Sequence, residues 1–95
     1  MSKFKSVFTV DELKLFFDPY FRRYAWERDY LEIQSLNTGH FWLLIKDPAA
    51  EIPVKLLHKY SKNQPYHHQC GAASIYSAIR KIKKHDDYVL KKTLK

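Results

Sequence analysis

Cysteine is nearly absent from this chain. Cys70 stands alone in 95 residues, which excludes an internal disulfide. Glycine is scarce as well. Two glycines and four prolines leave little material for flexible linkers or a disordered tail. No apolar run approaches the roughly 18 residues that a membrane-spanning helix requires. The segment MSKFKSVFTV carries lysines but neither a long apolar stretch nor a small-residue cleavage site, so no secretory signal is expected. Together these absences predict a cytoplasmic protein with a reduced thiol and no membrane partner. Acidic residues are scarce in the last third. Residues 61–95 hold eight lysines and arginines against Asp86 and Asp87, whereas residues 1–36 carry six charges of each sign.

What is present is apolar and aromatic. Hydrophobic residues make up 45% of the chain and aromatics 16%, enough for the core of one small domain spanning residues 1–95. The net charge of +7 falls almost wholly in residues 61–95. A localised basic surface favours an anionic partner through long-range attraction and counterion release. Lysines that only keep a small protein dispersed would read the same way.

Local signals divide the chain. Thr9 and Glu12 have the spacing of a capping box, flanked by Phe8 and Leu13 at the positions of a hydrophobic staple. Val10, Leu13, Phe16 and Phe17 then give an apolar stripe, and Pro19 ends it, so a short helix is predicted over 10–18. Residues 3–8 read as a short strand leading in. In YFRRYAWERDYLEIQSL, Tyr24, Trp26 and Tyr30 share one parity before it switches to Leu31 and Ile33, which predicts a bulge or break near Arg28 and Asp29. Asn37, Thr38 and Gly39 form a hairpin loop, with Gly39 suited to a left-handed position. His40–Lys46 is a continuous apolar run, predicting a central strand covered on both faces. Residues 52–60 fit either a strand or a short helix, and the alternation of Val54, Leu56, His58 and Tyr60 favours the strand. YHHQC would close a second hairpin. A C-terminal helix follows, with Ile75, Ala78, Ile79 and Ile82 along one face. Asp86 would fall on that apolar face, which predicts a kink or stop near His85 and a separate last turn over Tyr88–Lys92. The predicted class is α+β: an antiparallel meander of three to four strands, with a short N-terminal helix and a longer C-terminal helix on one sheet face.

Several side-chain groups carry chemistry. His67, His68 and Cys70 lie close together, with His58 one strand away. Alternation along an extended chain points His68 and Cys70 the same way and His67 opposite. A structural zinc site needs four converging ligands, and the second close-spaced pair is missing, so no metal and no cofactor is expected. CGAAS resembles the start of the nucleophile helix in papain-like cysteine peptidases, and Gln64 stands where that family places its oxyanion glutamine. GHFWLLI resembles the same family's histidine-bearing strand. The resemblance implies Cys70 as nucleophile and His40 as base, in a circularly permuted order because the histidine comes first. The plainer reading makes Cys70 a small buried residue and Gly71 a tight strand-to-helix turn.

The helix–three strands–helix order also resembles the double-stranded RNA-binding domain, which grips phosphates with lysines at the start of its second helix. Here GAAS occupies that start and the lysines come one to two turns later, so the family is not assigned. A looser form of the reading is kept. Arg80, Lys81, Lys84, Lys91 and Lys92 form a basic stripe, while Arg22, Tyr24, Trp26, Arg28 and Tyr30 alternate cation and aromatic as a base-stacking strand does. The leading expectation is a non-catalytic module binding nucleic acid through the basic helix. The alternative is a protein-interaction module or homodimer that uses Tyr24, Trp26 and Tyr30. A permuted cysteine hydrolase is the outlier.

Overall fold

The structure, a computed structural model, describes residues 6–93. Thr9 Oγ1 accepts from the Glu12 amide at 3.1 Å and Glu12 Oε1 accepts from the Thr9 amide at 2.8 Å, so the capping box opens α1 (Val10–Lys14) as its spacing predicts. A 3₁₀ turn (Leu15–Phe17) carries the chain to Asp18. Phe16 enters the core, and the Arg23 guanidinium donates to its carbonyl at 2.7 Å, which satisfies a helix-end acceptor. Val10 and Phe17, expected on the buried stripe, are instead 69% and 64% exposed, because α1 is little more than one turn long and the 3₁₀ turn after it directs Leu15 and Phe16 to the core. Of the strand expected over residues 3–8, residues 3–5 lie outside the described residues, and 6–8 are not in a strand.

Five strands then pair strictly with their sequence neighbours: β1 (Phe21–Trp26), β2 (Tyr30–Ser35), β3 (Phe41–Lys46), β4 (Val54–Lys59) and β5 (His67–Ala72). Every pair is antiparallel, so the sheet is the predicted meander with one more strand than expected. The extra strand arises in residues 21–35. The parity switch near Arg28 and Asp29 is a hairpin turn, closed by the Glu27 amide donating to the Tyr30 carbonyl at 2.9 Å. A bulge does occur, but earlier, between Arg23 and Ala25. Gly39 takes φ +78° in the β2–β3 loop, the left-handed conformation its position requires. Residues 54–59 are strand, with burial alternating along β4.

One sheet face is covered and the other is open. Leu31, Ile33, Trp42, Leu44, Val54 and Leu56 are buried on the covered face in one core with Phe16 of the 3₁₀ turn and with Ile75, Ala78 and Ile82 of α2 (Ile75–Thr93). Burying each such aliphatic side chain stabilises by about 1.5–3 kcal/mol. Leu43, Ile45 and Leu57 lie on the opposite face and are only half-buried. The central strand β3 is thus covered by helix on one side, not on both.

Helix α2 runs unbroken through His85, against the predicted kink. Asp86 does fall on the apolar face and is fully buried. Its carboxylate accepts from the Tyr20 hydroxyl at 2.6 Å and from Thr38 Oγ1 at 3.2 Å, so the acid is satisfied where it lies and the helix need not turn it out. Gly71 sits within β5, not in a turn. A Cβ there would meet Ile52 Cγ2 at 2.6 Å, so this glycine serves close packing.

Candidate functional site

Helix α2 begins where Ser74 Oγ accepts from the Ser77 amide at 3.1 Å and the Ser74 carbonyl accepts from the Ala78 amide at 2.9 Å. With the isoleucines docked inward, helical geometry throws the cations outward. Arg80, Lys81, Lys84, Lys91 and Lys92 are all exposed. Arg80, Lys84 and Lys91 fall within about 40° of one another around the axis, and Lys81 and Lys92 lie together on one side, about 60–80° further round. From Arg80 to Lys92 the ridge runs about 18 Å. Among the described residues none of the five is ion-paired, and Asp87 is the one exposed carboxylate on α2. Lys81 Nζ donates to the Gly71 carbonyl at 2.7 Å. Lys83, between the ridge and the sheet, stacks on the Tyr20 ring at 5.0 Å.

The other expected cations do not join this ridge. Arg22 pairs in register with Gln34 on the open sheet face, and its guanidinium lies 5.2 Å from the Tyr24 ring. Arg28 is exposed in the β1–β2 turn. The expected aromatic row is also divided. Because of the β1 bulge, Tyr24 faces the open side, stacking on Phe41 at 5.3 Å and donating to Gln34 Oε1 at 3.0 Å. Trp26 pairs with Leu31 and lines a groove with α1, and its indole N–H donates to Ser6 Oγ at 3.1 Å. Tyr30 pairs with Ile45 at the far end of the open face. A ladder of alternating cations and rings crosses that face instead: Arg22, Tyr24, Phe41, Lys59 and Tyr66, with Lys59 Nζ 5.2 Å from Phe41 and 4.4 Å from Tyr66. Tyr66 donates to Glu32 at 2.6 Å, and burial together with that carboxylate pushes its phenol well above the usual tyrosine range.

A groove of about 490 Å³ lies between α1 and β1, lined by Val10, Leu13, Phe17, Tyr24 and Trp26 among others. Val10, Phe17 and Trp26 are exposed within it, so its surface is largely apolar.

At β5 a bulge between Leu56 and Leu57 on the β4–β5 pairing changes the expected alternation. His67 pairs with His58 and Cys70 with Leu56, both on the helix side, while His68 pairs with Leu57 on the open side. Cys70 packs against the core within β5, five residues before α2. Its register partner Leu56 lies opposite Leu44, four residues along the chain from His40, or about 13 Å in extended chain. The papain-like pairing of Cys70 with His40 is therefore not assembled.

The structure does gather a cluster that sequence spacing left scattered. His40 enters β3, His58 lies on β4 and His85 on α2, and a ring nitrogen of each lies within 4.8 Å of the others. His58 Nε2 and His40 Nδ1 share one hydrogen bond at 3.0 Å. His58 and His40 are buried and His85 is half-buried. Trp42 packs its ring 4.5 Å from His58 and 5.1 Å from His85, and Tyr60 lies 5.0 Å from both His40 and His58. Burial, then the neighbouring imidazoles, pushes His58 down to about 4, and burial followed by His85 lowers His40 as well. Both rings are consequently neutral at pH 7.

No protein-family model, no curated protein and no solved structure matches this chain. Among the described residues, no helix is long and apolar enough to cross a membrane.

Proposed function

We propose that the protein is a non-catalytic module that binds nucleic acid along the outer face of α2. The observation that carries this reading is the unpaired state of the ridge. Among the described residues, Arg80, Lys81, Lys84, Lys91 and Lys92 are exposed without a carboxylate in ion-pair range, and Asp87 is the one exposed acid on α2. A free cation is worth most to a polyanion, because each phosphate it neutralises releases condensed counterions. The side chains offer charge without a base-reading surface, so the expected binding tolerates sequence.

A fluorescence titration with labelled duplex and single-stranded DNA at two salt concentrations tests this. With up to five phosphate contacts, duplex affinity is expected to fall by roughly 10²–10³ between 50 and 200 mM salt. Lys84→Glu, at an exposed position of α2, is expected to weaken binding severely with unchanged thermal stability. Affinity indifferent to salt, or to Lys84→Glu combined with Lys91→Glu, overturns the reading.

One observation favours a second reading, a protein-interaction surface. The groove between α1 and β1 exposes Val10, Phe17 and Trp26 together, and aromatic anchors of this kind dominate protein interfaces. On that reading a dimer seen in sedimentation would be weakened by Trp26→Ala and left intact by Lys84→Glu.

A further inference from the structure

We infer that His40, His58 and His85 form a binding site for a divalent transition-metal ion of the imidazole-seeking class, zinc, cobalt, nickel or copper. The inference is independent of the nucleic-acid reading and concerns the flank of α2 that faces the sheet, where His85 is half-buried.

Geometry comes first. A metal–imidazole bond of about 2.0–2.1 Å in a tetrahedral site places ligand nitrogens roughly 3.3 Å apart. His58 Nε2 and His40 Nδ1 already approach to 3.0 Å, and all three donors lie within 4.8 Å of one another. Closing the set around an ion requires the widest pair to draw in by about 1.5 Å. His58 comes from β4 and His85 from α2, elements fixed by the sheet register and by helix packing, while His40 immediately precedes β3, its carbonyl accepting from the Ser35 amide at 2.9 Å. The site is thus held at the ends of packed elements.

Hydrogen bonding points the same way. Among the described residues, His85 Nδ1 is buried without a hydrogen-bond partner. The nearest carboxylate oxygen to His85 Nδ1, on Asp86, is 4.0 Å away and is engaged by Thr38. A buried imidazole nitrogen without a partner is costly. Three neutral imidazoles cannot satisfy one another around a single shared hydrogen bond, whereas an ion accepts several of their lone pairs at once.

The donor set chooses the ion. Imidazole nitrogen without first-rank oxygen donors suits zinc, copper, cobalt and nickel and disfavours calcium and magnesium. Trp42 and Tyr60 supply an apolar wall on two sides. The ring of His67, exposed at the edge strand, lies 5.3 Å from that of His58 and is the nearest further imidazole for a fourth position.

The test uses the full chain, stripped with a chelator and titrated with Zn²⁺ by calorimetry and with Co²⁺ by visible absorption. The expected result is one equivalent bound, with a rise in the midpoint of thermal unfolding. In a Trp26→Phe background, Cu²⁺ is expected to quench the Trp42 emission at the same stoichiometry. His85→Gln and His40→Gln are each expected to weaken binding by more than about tenfold, while His68→Ala leaves it unchanged. Should those variants fail to fold, proton NMR of the unaltered protein decides. Zn²⁺ should shift the imidazole resonances of His40, His58 and His85 and spare that of His68. Absence of saturable binding, retention of full affinity in both glutamine variants, or shifts confined to the exposed His67 and His68 overturns the inference.

Discussion

The hydroxyl of Tyr20 donates to Oδ2 of Asp86 at 2.6 Å, joining the chain's first third to its last helix. Asp86 is fully buried in the middle of an otherwise apolar helix face, and Thr38 completes its coordination from the β2–β3 loop. The three residues pin α2 to the end of the sheet where β1 begins.

Asp86→Ala leaves the hydroxyls of Tyr20 and Thr38 without their acceptor and is expected to cost about 2–4 kcal/mol. Asp86→Asn keeps one carbonyl acceptor and should cost less. Tyr20→Phe is expected to cost about 1–2 kcal/mol, and the double variant less than the two single costs combined. Urea unfolding of the four proteins measures this, and strictly additive costs would show that the bond contributes nothing.

Stability is expected to fall in mild acid. His58 is held down to about 4 in the folded protein against 6.5 in a free chain. Above pH 6.5 its ring is neutral in both states, and the stabilising contribution is complete. Between pH 6.5 and 4 the unfolded chain takes up a proton that the folded one refuses, so stability drops by on the order of 3 kcal/mol and then levels off. His40 shifts in the same direction and adds to the slope. Unfolding midpoints taken from pH 7.5 to 4 in a chelator check this, and His58→Leu should flatten the profile. A flat profile for the unaltered protein would refute it.

Gly71→Ala is expected to cost about 1–2 kcal/mol, because the added methyl meets Ile52 Cγ2 at 2.6 Å. Ile52 is itself exposed, so Ile52→Ala alone should be nearly neutral and should abolish most of the Gly71→Ala penalty. Persistence of the full cost in the double variant would place the strain in the backbone instead.

The parts of this fold that were legible are those whose causes are local. The Thr9–Glu12 box, the left-handed Gly39, the β4 alternation and the outward cations of α2 each follow from residues within a few positions of one another. The β1–β2 turn was legible as a break near Arg28 and Asp29 but not as a hairpin, because Glu27, Arg28 and Asp29 include no glycine, proline or asparagine. The bulges in β1 and β5 put Trp26 on the face opposite Tyr24 and Cys70 on the face opposite His68, where simple alternation gives each pair a common face. The burial of Asp86 was invisible for another reason. Its partners Thr38 and Tyr20 lie 48 and 66 positions away. The histidine cluster did leave a trace. His40 and Trp42 share one face of β3, as His58 and Tyr60 extend one face of β4. Only the register, Trp42 opposite His58, brings those faces together beneath His85.

The meander order of the sheet also bears on how the chain reaches this state. Each strand pairs with the one made just before it, so every ladder closes over a short loop at small entropic cost. A nascent chain can therefore zip its sheet progressively as it lengthens. The covered face stays apolar until α2, which follows the sheet in the chain, docks on it, and Tyr20 meets Asp86 only then. A synthesis that stalls before Ile75 would leave a complete ladder with nothing over its greasy side, a species poised to self-associate.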